Sequence, residues 1–183
     1  IFFVLVCFAL ALHGVYQYIV GAEMPAGWVD SKEQGVRTRV YSILGSPNVF
    51  GSLMTLAAPV AVSFIFSMRK IQSKVLFVFI SATIMASLLF TFSRGAWIGF
   101  MIAVFVYVLI KDKRFFIPII LGAVLLIAFV PSVANRITYM LSPEYIESSL
   151  RGGRLVRWIT GIDIVSANPF LGVGHGHFGG AVA

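Results

Sequence analysis

Val75-Leu-Phe-Val-Phe-Ile-Ser-Ala-Thr-Ile-Met-Ala-Ser-Leu-Leu-Phe-Thr-Phe92, then Ser93-Arg94-Gly95, then Ala96-Trp-Ile-Gly-Phe-Met-Ile-Ala-Val-Phe-Val-Tyr-Val-Leu-Ile110: two apolar runs meet at a short turn with a cation at its centre. Lys74 and Arg114 mark the outer limits of this hairpin. Runs of this kind are bilayer material, and an arginine placed mid-helix in lipid costs roughly 2.5–3.5 kcal/mol, so it belongs at an end or has a task. At about 1.5 Å per residue the second run spans about 23 Å, short of a hydrocarbon core of about 30 Å. The sequence therefore predicts an apex slightly below the membrane surface, holding a fixed cation in a poorly hydrated recess suited to a lipid-linked phosphate. An arginine that only snorkels to the interface would occupy the same place.

Composition points to the same class. The 183 residues are 59% hydrophobic and 11% charged, with 17 phenylalanines and a mean hydropathy of +0.96. No ordinary soluble domain has that make-up. The one cysteine, Cys7, lies within the first apolar run and excludes a disulfide framework or a cysteine metal site. A formal charge of +7 would suit nucleic acid, but the basic residues are divided among short segments between apolar runs. No basic stripe forms, which excludes nucleic-acid binding. The chain opens at Ile1 inside an apolar run and closes on Gly179-Gly180-Ala181-Val182-Ala183, so it reads as a piece truncated at both ends.

The predicted fold is an all-α, polytopic integral membrane protein. About five spans are expected, over residues 1–20, 48–68, 75–92, 96–110 and 115–130, making residues 1–130 the membrane region. Residues 131–183 read as the start of a large outer loop. Short connections make the last three spans antiparallel neighbours. Pro59 in the second span is tolerable where neighbouring helices re-satisfy the freed carbonyl. His13 and Gln17, in the outer half of the first span, read as packing or interfacial residues.

Orientation follows from the basic loops. Arg69, Lys70 and Lys74 lie between spans two and three; Lys111, Lys113 and Arg114 lie between spans four and five, against Asp112 alone. Positive-inside bias places both loops in the cytoplasm. Lys32, Arg37, Arg39, Arg94, Arg136, Arg151, Arg154 and Arg157 then face outward, with Lys32 the one lysine among them. Arginine captures phosphate through a planar fork, whereas lysine suffices for topology, so this bias suggests an anionic ligand outside. Glu23, Asp30, Glu33, Glu144, Glu147 and Asp163 are available to pair with some of these cations.

Residues 154–167 read as an amphipathic helix with Leu155, Trp158, Ile159, Ile162 and Val165 as its apolar stripe. Gly152-Gly153 precedes it and Asn168-Pro169 ends it. Arg154 and Arg157 stand in its first turn, where the helix dipole disfavours cations and favours an anion. That placement makes sense with a phosphate present; headgroup contact by an interfacial helix is the alternative. His175 and His177 form a His-x-His pair, but without further ligands at suitable spacing they do not make a metal site. The glycines around them lack the P-loop pattern.

Taken together, these residues resemble the O-antigen ligase and polymerase superfamily of bacterial membrane glycosyltransferases. Three motifs carry the resemblance: Ser93-Arg94-Gly95-Ala96-Trp97-Ile98-Gly99; Arg154-x-x-x-Trp158 leading through Asn168-Pro169 to Gly172-Val173-Gly174-His175-Gly176-His177-Phe178; and Arg39 followed by Gly45-Ser46-Pro47-Asn48. The resemblance implies transfer or polymerisation of glycan from an undecaprenyl-diphosphate-linked donor to a glycan or lipid acceptor. The site would be the outer face of the bacterial cytoplasmic membrane. It implies no cofactor and no metal, with the diphosphate held by Arg94 and Arg154, and by Arg157 and Arg39 as further candidates. The family's general-base histidine, usually followed by asparagine, is expected downstream of Ala183. The rival reading is a transporter or flippase of a lipid-linked anion, and a third is a purely structural membrane subunit. A His-Asn pair in the outer loop would favour the enzyme.

Overall fold

The structure, a computed structural model, describes residues 1–25, 38–111, 116–151, 154–174 and 178. Regular structure among them is helical throughout: α1 (Phe2–Val20), α2 (Pro47–Ser67), α3 (Ile71–Phe90), α4 (Arg94–Lys111), α5 (Phe116–Phe129), α6 (Pro131–Met140), α7 (Pro143–Leu150) and α8 (Arg154–Ala167). The chain divides into two units, Ile1–Arg136 and Ile137–Ala183.

In the first unit, α1, α2 and α3 pack on one another through stripes at helical spacing. Val4, Cys7 and Ala11 of α1 meet Phe50, Met54, Ala57 and Ala61 of α2 and Ile80, Ile84 and Leu88 of α3, all buried. Small residues let the backbones approach closely, as packing in lipid requires where no hydrophobic force drives helix association. Gly14 shows how closely: a Cβ there would lie 2.8 Å from the Phe50 ring and 3.2 Å from Ser87 Oγ. Polar side chains bridge the helices. Ser87 Oγ donates to the Ala11 carbonyl (2.7 Å) and Thr55 Oγ1 to the Ala96 carbonyl (3.1 Å), which ties α3 to α1 and α2 to α4. Large apolar side chains such as Phe2, Leu56, Phe66 and Phe79 cover the outside of the same helices. Among the described residues three helices, α1, α2 and α3, are long and apolar enough to cross a membrane. The number rises to four if the bent pair Ile120–Phe129 and Val133–Met140 makes one span; α4 is a shorter apolar helix.

Several boundaries differ from the expected spans. The third helix starts at Ile71, not Val75, so Lys74 lies on the helix and the connection from α2 shrinks to Met68–Lys70. Backbone hydrogen bonding continues through Gln72 and Ser73, whose side chains hydropathy excludes but whose backbone does not resist the helix. The fourth helix starts at Arg94, not Ala96, and runs 18 residues to Lys111. Its length is then about 27 Å, nearer to a hydrocarbon core of about 30 Å than the apolar run alone.

In the second unit, α7 begins with Pro143 at its first position, and the Ser142 hydroxyl caps it by accepting from the Tyr145 N–H (3.3 Å). The Leu155 N–H at the start of α8 donates to the buried Ser149 Oγ (3.2 Å). Gly172 and Gly174 take positive φ (63° and 88°), a region open to glycine at no steric cost.

Candidate functional site

The Ser93-Arg94-Gly95 motif sits where α3 ends and α4 begins, and its geometry starts from the end of α3. A helix leaves its last four carbonyls without intrahelical partners. Here each one is met. Ser87 O accepts from Thr91 N, and Leu89 O from Phe92 N (both 3.1 Å). Leu88 O accepts from Thr91 Oγ1 (2.7 Å) and from the Trp97 indole (3.1 Å). Phe90 O accepts from Val40 N (3.1 Å), a residue of the segment that precedes α2. The chain then reverses at Phe92, a non-glycine residue with φ 48°. That conformation costs about 1–2 kcal/mol. It persists because its surroundings over-determine it: the ring is buried and tilts against Trp97 with centroids 6.0 Å apart, and Ser93 N donates to Thr91 Oγ1 (3.2 Å).

Arg94 is consequently the first residue of α4, where the sequence places it at a loop apex. A cation at a helix N-terminus opposes the dipole unless an anion lies there too. Its Nη1 is buried, while the residue as a whole is half-buried. Beside it, a Cβ on Gly95 would meet nothing within 4 Å, so the space over the start of α4 is open. The start of α2 adjoins it. A Cβ on Gly51 would come within 2.8 Å of Ala96 Cβ and 3.3 Å of Ser93 Cβ, so α2 and α4 begin side by side with two positive dipole ends together. Ser46 precedes α2 without a side-chain cap and Pro47 takes its first position.

Arg39 enters this arrangement from the segment before α2. Its Nε donates to the Thr91 carbonyl (3.0 Å) and its Nη2 to Asn48 Oδ1 (3.2 Å). Ser93 Oγ donates to the same Asn48 oxygen (2.9 Å). The structure thus brings together two of the three sequence motifs, Arg39 with Pro47-Asn48 and the Ser93-Arg94-Gly95 turn.

The segment carrying Arg39 is pinned from α1. Gln17 Oε1 accepts from Tyr41 N (3.1 Å) and Ser42 N (2.8 Å), and its Nε2 donates to Ser42 O (3.2 Å). Ser42 sits at φ 52°. Its hydroxyl donates to Leu10 O (3.0 Å), which leaves it an acceptor toward His13 Nδ1 at 3.1 Å, so that nitrogen carries the proton. His13 and Gln17 therefore anchor the segment before α2, a more specific part than the packed or interfacial place that sequence suggests for His13.

The third motif belongs to the second unit. Arg154 opens α8 and Arg157 stands exposed one turn on; the Arg154 side chain lies outside the described residues, as does that of Arg136. Arg151 is paired with Glu147, an exposed i,i+4 ion pair of the ordinary kind. Phe178, the motif's last residue, packs over Gly161 of α8, 3.4 Å from where a Cβ would stand. Lys32, Arg37, Gly152, Gly153, His175 and His177 fall outside the described residues. Among those described, no three His, Cys, Asp or Glu side chains gather as a metal site requires.

Sequence reasoning quoted Asn48, Ser93 and Trp97 within its motifs but gave them no part in holding the turn. It missed Thr91, whose hydroxyl bonds only to backbone groups, the Leu88 carbonyl and the Ser93 N–H.

A family model described as O-antigen ligase (Wzy_C) matches residues 79–182, more than half of the chain. The chain belongs to the O-antigen ligase family. It is thereby a membrane protein of the O-antigen ligase type, glycosyltransferase-like in its chemistry. The matched O-antigen ligase segment contains the Ser93-Arg94-Gly95 turn and all of the α8 motif, while Arg39 and Asn48 precede it. No curated protein and no solved structure matches the chain.

Proposed function

We propose that this protein transfers or polymerises glycan from an undecaprenyl-diphosphate-linked donor on the outer face of the bacterial cytoplasmic membrane. The observation that carries the reading is the position of Arg94, inside the family match and at the joined N-termini of α2 and α4. When the bond between the anomeric carbon and the diphosphate breaks, negative charge grows on the leaving oxygen. Guanidinium groups and helix N-termini fixed before the reaction stabilise that charge without reorganising. Arg94 is assigned to the diphosphate, with Arg154 and Arg157 of α8 supplying further cations from the outer loop of residues 131–183. The acceptor hydroxyl needs a general base, a role that the family resemblance gives to a histidine of the outer loop.

Two experiments test this. In the intact protein, transfer from the lipid-linked donor continues in EDTA, since arginine meets the charge. Loss of transfer in EDTA, restored by a divalent cation, sinks the arginine-only mechanism and turns attention to His175 and His177. The outward orientation is tested by single cysteines. Cysteine at the exposed positions Glu23 and Ser148 reacts with an impermeant thiol reagent from outside, and cysteine at exposed Gln72 does not. Cys7 is buried and gives no background. The inverse labelling pattern would place Arg94 in the cytoplasm and remove it from an outer-face reaction.

A further inference from the structure

We propose that Arg39 is a positioning residue: through Asn48 and the Thr91 carbonyl it locks the turn that carries Arg94, and it is not itself a ligand of the diphosphate. The proposal rests on the reading that Arg94 meets that group. Arg39 is 6% exposed, far from the solvent-facing placement of a side chain that captures a ligand from outside. Its guanidinium reaches two groups in different directions, Nε to Thr91 O and Nη2 to Asn48 Oδ1. Thr91 is the residue that follows α3, so the cation lies at the negative end of that helix, where the dipole favours it.

Asn48 is the joint of the latch. A guanidinium can only donate, so the Asn48 atom facing Arg39 is the amide oxygen, and the side chain cannot be flipped without setting N–H against N–H. The same oxygen then receives the Ser93 hydroxyl, one residue before Arg94. Arg39 thereby sets the orientation of Asn48, Asn48 sets Ser93, and the Thr91 carbonyl holds the other side of Phe92 at its left-handed φ. The arrangement also explains why arginine stands here. A lysine ammonium lacks the planar fork that reaches the Thr91 carbonyl and the Asn48 oxygen together.

The test reads the turn directly and needs no substrate. A nitroxide is attached to the intact protein in lipid nanodiscs through Gly95→Cys, and separately through Gly122→Cys in α5. At both positions a Cβ meets nothing within 4 Å. Arg39→Met, Arg39→Lys and Asn48→Leu increase nitroxide mobility at position 95 and leave it unchanged at 122. Asn48→Asp, whose carboxylate accepts both bonds, holds the label at 95 as the parent does. In unlabelled protein, Arg39→Met lowers transfer from an undecaprenyl-diphosphate-linked donor roughly tenfold, the scale of a small misplacement of a group at the site.

A fall in transfer with unchanged mobility at 95 overturns the proposal, because Arg39 would then act on the ligand directly. Increased mobility at both 95 and 122 in the Arg39 and Asn48→Leu variants overturns it too, since the cluster would be a general fold element. Failure of the wider reading is distinguishable: Arg94→Ala would then leave transfer intact, whatever the label at 95 reports.

Discussion

Arg94→Ala lowers glycan transfer at least about a hundredfold in the intact protein, and Arg94→Lys recovers little of it. A charge-assisted hydrogen bond is worth roughly 1.5–3 kcal/mol, and a bidentate contact to charge that develops in the transition state is worth more. At 1.36 kcal/mol per factor of ten, two such bonds reach about a hundredfold. Lysine keeps the charge but replaces a planar fork matched to two phosphate oxygens with a point donor. The helix dipole is no source of stability to lose. Arg94 is the first residue of α4, where a cation works against the dipole by about 0.3–1 kcal/mol, so its removal ends that penalty. Expression and membrane insertion therefore stay at parental levels while transfer collapses. Transfer is read as labelled glycan appearing on the acceptor, normalised to protein in the membrane. Near-normal turnover in Arg94→Ala would make Arg94 an interfacial anchor and end the hairpin's claim to the site.

The elements that sequence shows well are those set by local pattern. Composition makes the membrane class plain, and α8 begins and ends where Gly152-Gly153 and Asn168-Pro169 punctuate the chain. Hydropathy misplaces α3 and α4 because it scores side chains, and helices continue through Gln72, Ser73, Arg94 and Gly95 on backbone bonds alone. Helices α6 and α7 escape a search for apolar runs. Their signals are of another kind, Pro131 and Pro143 at first helical positions and the Ser142 cap. The turn itself reads differently too. Sequence places the turn on Ser93-Arg94-Gly95, whereas the left-handed residue is Phe92 and both Arg94 and Gly95 lie within α4. The Arg39–Asn48–Ser93 latch is the least legible feature. Its bonds join residues 45 positions apart between Asn48 and Ser93 and 52 between Arg39 and Thr91, and no local pattern specifies pairing over such separations.

Gly51→Ala lowers transfer roughly ten- to a hundredfold, and Ala96→Gly in the same chain restores most of it. A Cβ on Gly51 would stand 2.8 Å from Ala96 Cβ, 3.2 Å from Thr91 Oγ1 and 3.3 Å from Ser93 Cβ, against 3.4–4 Å for ordinary contact. The nearest of these atoms is fixed to the backbone of α4 and cannot swing aside, so α2 and α4 must separate at the ends that carry Asn48 and Arg94. Overpacking of this kind costs about 1–3 kcal/mol, which a membrane helix bundle absorbs by shifting rather than unfolding. A shift of about 1 Å at a reacting site costs about a hundredfold in rate, so the damage falls on transfer before abundance. Removing the Ala96 methyl returns the space that the new methyl takes, although glycine within α4 carries its own cost of about 1 kcal/mol. The informative quantity is the coupling between the two substitutions, which is large only for groups in contact. Full activity in Gly51→Ala alone would mean that the spacing of α2 and α4 does not set the position of Arg94. A double variant no better than Gly51→Ala would trace the loss to Thr91 and Ser93, the other atoms that methyl would strike.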